Sequence, residues 1–342
     1  VPNAYISGTG FYVPPRVVTN DDLVAMGIDT THDWIVQRTG IEARRFADEG
    51  VGTSDLAVPA ARDAIARAGL QPRDVDLIVF ATLSPDFAFP GSGVLLQQKL
   101  GLCDGADPKF CGALDVRNQC SGFLYGLHVG TSTVKAGAAR HVLVVGAETH
   151  SAAIDLSTRG RTVSSLFGDG AGAVVVSATD EDRGVRGVWL GADGRFAETL
   201  SQKVWDIRKR PFIPLNAEGV GQVAPDHMWA QMDGRTVFKN AVEKMCLALM
   251  QACWQTGIDP GAIDLFLFHQ ANMRINQYVA KQLGLPDEKV LHNIDRYGNT
   301  TAATIPILLA EAEREGRLKR GMKVAMVAFG SGFTWGSSIV EW

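Results

Sequence analysis

Long apolar runs are missing from this chain. No stretch of the 342 residues approaches the roughly 20 needed to cross a membrane, so no spanning helix is expected. Charge of one sign is also scarce. Charged residues make up 20% of the chain and the net charge is −4, with an isoelectric point of about 6.0. That balance argues against a nucleic-acid partner. A local basic patch for an acidic partner stays open. Cysteine is sparse. The five present are odd in number and irregular in spacing, which excludes a disulfide framework and fits a reduced, cytoplasmic setting. The first residues lack the basic start and apolar stretch of a signal peptide. Low-complexity tracts and heptad arrays are absent.

What is present is apolar content, at 46% of the residues. That is ample for a large core, as two or three domain-sized units or one fused pair. A repeat supports the fused pair. "GLQPRDVDLIVFAT" (69–82) aligns with "GIDPGAIDLFLFHQ" (257–270). Each follows an amphipathic helix pattern (54–68 and 236–256), turns at Gly and Pro, and enters an apolar strand. "QQKLGL" (97–102) then matches "AKQLGL" (280–285). Cys120 and Asn299 follow, each before an apolar helix with Gly seventeen residues later, at Gly137 and Gly316. The strands "HVLVVGA" (141–147) and "KVAMVAFG" (323–330) close the series. Four matches in order argue for duplication, with halves at 1–180 and 181–342. Each half alternates strand and helix, so each should hold a mostly parallel or mixed sheet covered by helices. Strands 77–82 and 265–270 are continuously apolar, as strands buried on both faces are.

The duplication assigns Cys120 and Asn299 to equivalent helix N-termini. His269 ends a strand, where α/β folds place their chemistry. The three are expected to meet near the pseudo-dyad. Taken singly, each has an ordinary explanation: a core thiol, a satisfied polar group, a turn or cap. Together they fit acyl transfer. A helix N-terminus favours a thiolate, which attacks a thioester well. His269 serves as base or donor, and Asn299 is a donor at any pH. A covalent thioester with stabilised oxyanions follows. Cys246 and Cys253 lie within a helix pattern and read as structural. Cys103 and Cys111 flank a loop without further ligands at metal spacing. "FGDGAGAVVV" (167–176) precedes a strand and reads as a tight turn rather than a dinucleotide loop. The stretch 192–232 has no clear period and reads as a functional cap or excursion.

At these residues the sequence resembles β-ketoacyl-acyl-carrier-protein synthase III, a thiolase-fold condensing enzyme. The resemblance is carried by "DWIVQRTGIEARR" (33–45), "CSGFLYGL" (120–127), "FGDGAGA" (167–173), "MDGRTVFKNAV" (232–242), "HQAN" (269–272), "YGNTTAATIP" (297–306) and "FGSGFTWGS" (329–337). It spans essentially the whole chain. It implies two five-stranded mixed sheets in an α/β/α/β/α stack. It implies that Cys120 takes an acyl group from acyl-CoA, and that His269 and Asn299 then stabilise the enolate formed as malonyl-acyl-carrier protein loses carbon dioxide. No metal or redox cofactor is implied. Trp34, Arg38, Arg161 and Asn272 match CoA-contacting positions. Lys239, Arg274 and Lys281 are implied to meet the acidic carrier protein. Phe329 and Phe89 match the acyl pocket, Phe89 from a partner subunit, which implies a homodimer.

Two departures stand out. Ser331 replaces the usual glycine whose N–H completes an oxyanion hole with that of Cys120; a positive φ there would strain a serine. The 192–232 excursion is long, basic and aromatic. An alternative within the superfamily condenses acyl-CoAs or transfers an acyl group in a specialised pathway. A papain-like hydrolase lacks its cysteine signature here, and a non-catalytic partner subunit would not need all three residues.

Overall fold

The computed structural model describes residues 2–342. In the first half, β1 (Asn3–Tyr12), β2 (Leu77–Ala81), β3 (Gly112–Val116), β4 (His141–Glu148) and β5 (Gly170–Thr179) form one sheet, ordered β1-β5-β4-β2-β3. In the second, β6 (Gly184–Ala192), β7 (Leu265–Phe268), β8 (Val290–Leu291), β9 (Lys323–Gly330) and β10 (Thr334–Glu341) are ordered β6-β10-β9-β7-β8. The two orders are the same. So are the strand senses. β5 runs antiparallel to β1 and β4, while β2 runs parallel to β4 and β3. β10 runs antiparallel to β6 and β9, while β7 runs parallel to β9 and β8.

Helix patterning sorts the layers. α1 (Thr53–Arg67) and α2 (Ser92–Lys99) cover the outer face of the first sheet. α4 (Gly234–Thr256) and α5 (Met273–Leu283) cover the outer face of the second. These four are exposed on one side. α3 (Gly122–Lys135) and α6 (Thr304–Arg314) lie between the sheets and share one core with both. In α6 every residue from Thr304 to Ala312 is buried, with apolar residues on all sides and Glu311 satisfied by Asn293 and Tyr297. The result is the expected five-layer α/β/α/β/α stack.

One expectation is corrected. α3 has 14 residues and α6 has 11, and both end just before a left-handed glycine, Gly137 (φ +72) and Gly316 (φ +69). Counting back from those glycines therefore misses one turn of helix. The helix N-termini themselves match Cys120 to Ala302. Each sits in a 3₁₀ turn whose first residue, Gln119 (φ +44) or Thr301 (φ +49), is left-handed. These are the two non-glycine residues with positive φ among the described residues. Asn299 lies three residues upstream of Ala302, in the approach to the turn.

The 192–232 excursion is tethered at both ends. Leu200–Ser201 pairs with Gln231–Met232, and between them runs an exposed loop with a short helix, Pro225–Met228.

Candidate active site

Cys120 follows β3 through a tight elbow. The strained Gln119 turns the chain so that the cysteine enters α3 at its N-terminal end, where N–H groups have no intrahelical partner. The end of β9 packs directly against this elbow. A Cβ at Gly330 would lie 3.1 Å from both the backbone N and the Cβ of Cys120, so a side chain there would push the elbow by a few tenths of an ångström. Burial, together with the Glu148 carboxylate, pushes the Cys120 thiol up to about 12, against the pull of the N–H groups of Cys120 and Ser331. The resting sulfur is thus a thiol, flanked by two backbone donors.

Ser331 supplies its N–H without strain, because its φ is not positive. The left-handed position falls instead on Gly332, at φ +132. The Ser331 hydroxyl donates to the Leu200 carbonyl, tying this loop to the excursion.

His269 follows β7, and its N–H donates to the Val327 carbonyl at 2.9 Å. The ring is buried. Nδ1 lies 2.7 Å from the Thr304 hydroxyl, while Nε2 has no protein partner. Burial holds the imidazole down at about 3, so it is neutral at any working pH. When the Thr304 hydroxyl donates to Nδ1, the ring carries its proton on Nε2 and becomes a donor. Asn299 is fixed from both sides. Its N–H donates to the Leu166 carbonyl at 2.8 Å, and its own carbonyl accepts from Gly168 at 3.1 Å. The glycine-rich "FGDG" turn therefore precedes β5, as read, and also holds a residue of the other half. Asn299 Oδ1 accepts from the Thr301 N–H at 2.8 Å. That leaves the Nδ2 hydrogens as the free end of the amide.

One cavity of about 290 Å³ brings Cys120, His269 and Asn299 together, with Trp34, Arg38, Asn272 and Phe329 also in its lining. Arg161 lies over the Trp34 ring at 4.2 Å, and Arg38 lies over the same ring at 4.4 Å. Asn272 caps α5 through Oδ1 and donates to the Arg38 carbonyl at 2.9 Å. Lys239, Arg274 and Lys281 are exposed on α4 and α5 and form no ion pair among the described residues. Phe89 is 84% exposed and does not line this chain's cavity. It lies in the loop before α2, and exposed Phe87, Phe110 and Leu114 also lie in or next to the segments around edge strand β3. Cys253 lies on the buried face of α4, in the core, and Cys103 is exposed.

Three functional neighbours escaped the sequence reading. Thr301 and Thr304 sit inside the quoted "YGNTTAATIP" motif, but nothing local shows which groups they hold. Glu148 ends an apolar strand. It is wholly buried, accepts from the N–H groups of Leu83 and Ser84 at 3.0 Å, and is raised to about 7 by burial.

A cysteine on a helix N-terminus, with two neutral donors across a shared cavity between duplicated α/β halves, defines a thiolase-like acyl-transfer enzyme. The comparisons with known proteins narrow the class. The family model described as 3-oxoacyl-[acyl-carrier-protein (ACP)] synthase III matches residues 114–194, and that of its C-terminal part matches 253–342. A β-ketoacyl-[acyl-carrier-protein] synthase III of Caldanaerobacter subterraneus is 42% identical over 99% of this chain and 98% of its own. The solved synthase III of Thermus thermophilus superposes with a TM-score of 0.87 at 40% identity, covering 99% of both chains. The priming β-ketosynthase of the R1128 polyketide pathway gives 0.87 at 32% identity, covering 99% of this chain and 97% of its own. This chain belongs to the 3-oxoacyl-[acyl-carrier-protein] synthase III family.

Proposed function

We propose that the chain catalyses decarboxylating condensation of an acyl-CoA primer with malonyl-acyl-carrier protein, through an acyl-Cys120 intermediate, and so starts an acyl chain. The carrying observation is that Cys120, the unpartnered edge of His269 and the free amide end of Asn299 share one cavity. Cys120 Sγ attacks the primer's thioester carbonyl. The oxyanion is held by the N–H groups of Cys120 and Ser331, and CoA leaves as the thiol with the cysteine's proton. Malonyl thioester then enters. His269 Nε2–H and Asn299 Nδ2–H donate to its carbonyl oxygen. Carbon dioxide leaves, and the electron pair of the broken C–C bond becomes an enolate held by those donors. Its carbon attacks the acyl-Cys120 carbonyl, a C–C bond forms and the sulfur departs. Decarboxylation drives the step, so the reading calls for no metal or redox cofactor.

In this reading Trp34, Arg38 and Arg161 receive CoA, by stacking and by phosphate pairing; the closeness of both guanidiniums to the Trp34 ring supports it. The unpaired cations Lys239, Arg274 and Lys281 suit an acidic carrier protein. The reading includes a homodimer joined along the β3 edge, where Phe87, Phe89, Phe110 and Leu114 would be covered. It also includes a cytoplasmic setting, which suits free thiols such as that of Cys103.

The test is intact-protein mass after mixing with acyl-CoA, then with malonyl-acyl-carrier protein. An adduct on Cys120 that disappears as β-ketoacyl-carrier protein forms is expected. An adduct that persists, and transfers only to another acceptor, would replace condensation with acyl transfer.

A further inference from the structure

A second cavity, of about 420 Å³, abuts the first along Thr162, Val163, Phe167 and Met232. Its size is that of a small-ligand pocket. Its lining includes Arg117, His150, Phe167, Gln202, Trp205 and Trp229. The two ends of the excursion supply three of these six. Arg117 stands three residues before the nucleophile.

The charges in this cavity divide in an informative way. Asp155 is paired with Arg159 at 2.6 Å. Asp86 accepts from the hydroxyls of Ser54 at 2.9 Å and Ser92 at 2.7 Å. Arg117 has no ion-pair or hydrogen-bond partner among the described residues, and its guanidinium lies over the Trp205 ring at 5.2 Å. His150 adds a second group with unused capacity. Its ring is buried and packs 4.6 Å from Phe167. Nε2 meets the Thr301 hydroxyl at 2.6 Å, and that hydroxyl has no other acceptor among the described residues. When the hydroxyl donates to Nε2, the ring proton is on Nδ1, a donor without a protein partner. Burial keeps this ring neutral, with its pKa lowered to about 3.

A plain alkyl chain would cover the buried His150 donor, and would take water from Arg117, which is exposed at the rim, without giving either a partner, which costs free energy and gains no hydrogen bond. An oxygen acceptor would satisfy them, with Trp205 and Trp229 flanking it. We infer that this cavity holds the far end of the primer, and that the preferred primer is an oxygenated acyl group bearing a keto or carboxyl oxygen that Arg117 and His150 recognise. The inference rests on the condensing reading above and adds the substrate class to it.

The test measures single-turnover acylation of Cys120 by intact mass with three primers of similar length: hexanoyl-CoA, 5-oxohexanoyl-CoA and glutaryl-CoA. At least one oxygenated primer should acylate faster than hexanoyl-CoA by about 100-fold, as expected where a site's donors need an acceptor. The keto and carboxyl arms decide whether the acceptor is neutral or anionic. In Arg117→Met and His150→Leu the preference should fall by about ten-fold or more, with hexanoyl acylation retained as the control for folding. Hexanoyl-CoA reacting as fast as both oxygenated primers, or a preference unchanged in both variants, overturns the inference and leaves the condensing reading intact. No acylation by any of the three, nor by acetyl-CoA or butyryl-CoA, sinks that reading itself.

Discussion

The two helix N-termini at the centre of the molecule share a backbone and differ in chemistry. Gln119–Ser121 and Thr301–Ala303 are both 3₁₀ turns that open on a left-handed residue and lead into a buried central helix. The first presents a sulfur. The second presents Ala302, which does no chemistry. Its worth lies in what Thr301 holds: the N–H fixes Asn299, the carbonyl lies 3.0 Å from the Thr304 hydroxyl, and the side chain reaches His150. Duplication thus supplied two copies of one strained scaffold. One serves as a nucleophile elbow and the other as a bracket for donors. Strain of this kind persists where packing over-determines it.

That division is broken most sharply at Asn299. Asn299→Ala should lower decarboxylation of the malonyl thioester by about 10²–10³-fold while leaving Cys120 acylation within about two-fold. Equal loss of both, in separate decarboxylation and acyl-labelling assays, would show that the two turns do not divide the labour. Thr304→Val keeps the shape of the bracket and removes the hydroxyl beside His269 Nδ1. Decarboxylation should fall by roughly 10-fold, again with acylation spared. Because burial keeps the His269 ring neutral, the wild-type decarboxylation profile should show no acid limb near pH 6.5, where an ordinary histidine titrates.

Glu148 tests the comparison through pH. It touches the second turn and raises the thiol in the first. Its carboxyl is held up at about 7 against an ordinary 4.5. Its contribution to stability is therefore full below pH 4.5 and lost as the pH rises through 7. Between pH 5 and 8 the melting temperature of the wild type should fall by about 3–6 °C relative to Glu148→Gln. Parallel curves would show that Glu148 does not titrate in this range. The smallest effect is expected at Ser331. Ser331→Gly should change acylation by no more than about two-fold, because the backbone already presents its N–H, and should cost about 1 kcal/mol of stability through the lost bond to Leu200. A ten-fold faster acylation would mean that the serine had been holding the oxyanion loop out of position.

Much of this was legible in the chain. The continuously apolar strands 77–81 and 265–268, the one-sided helices over 53–67 and 234–256, and the repeated turns between them follow from periodicity. The motifs around Cys120, His269 and Asn299 named the family and placed the three residues in one cavity. The excursion divides: its ends line a cavity, while its middle is an exposed loop although it carries Ile207, Phe212, Leu215 and Val220.

The alignment of Cys120 with Asn299 failed for a physical reason. A sequence shows where a helix stops, at a left-handed glycine, more clearly than where a buried one starts. α6 lacks one turn of α3, and no local signal marks the loss. The amino-acid sequence by itself determined the strands, the helices, their duplication and the three side chains that share the cavity, because neighbouring residues encode periodicity and chemistry. The tertiary structure alone decided which N–H groups flank the sulfur, which edge of His269 is free, which end of Asn299 points outward and which cation in the second cavity lacks a partner. Those contacts join residues more than a hundred positions apart, or fix one rotamer among several, and only the packing of one half against the other selects them.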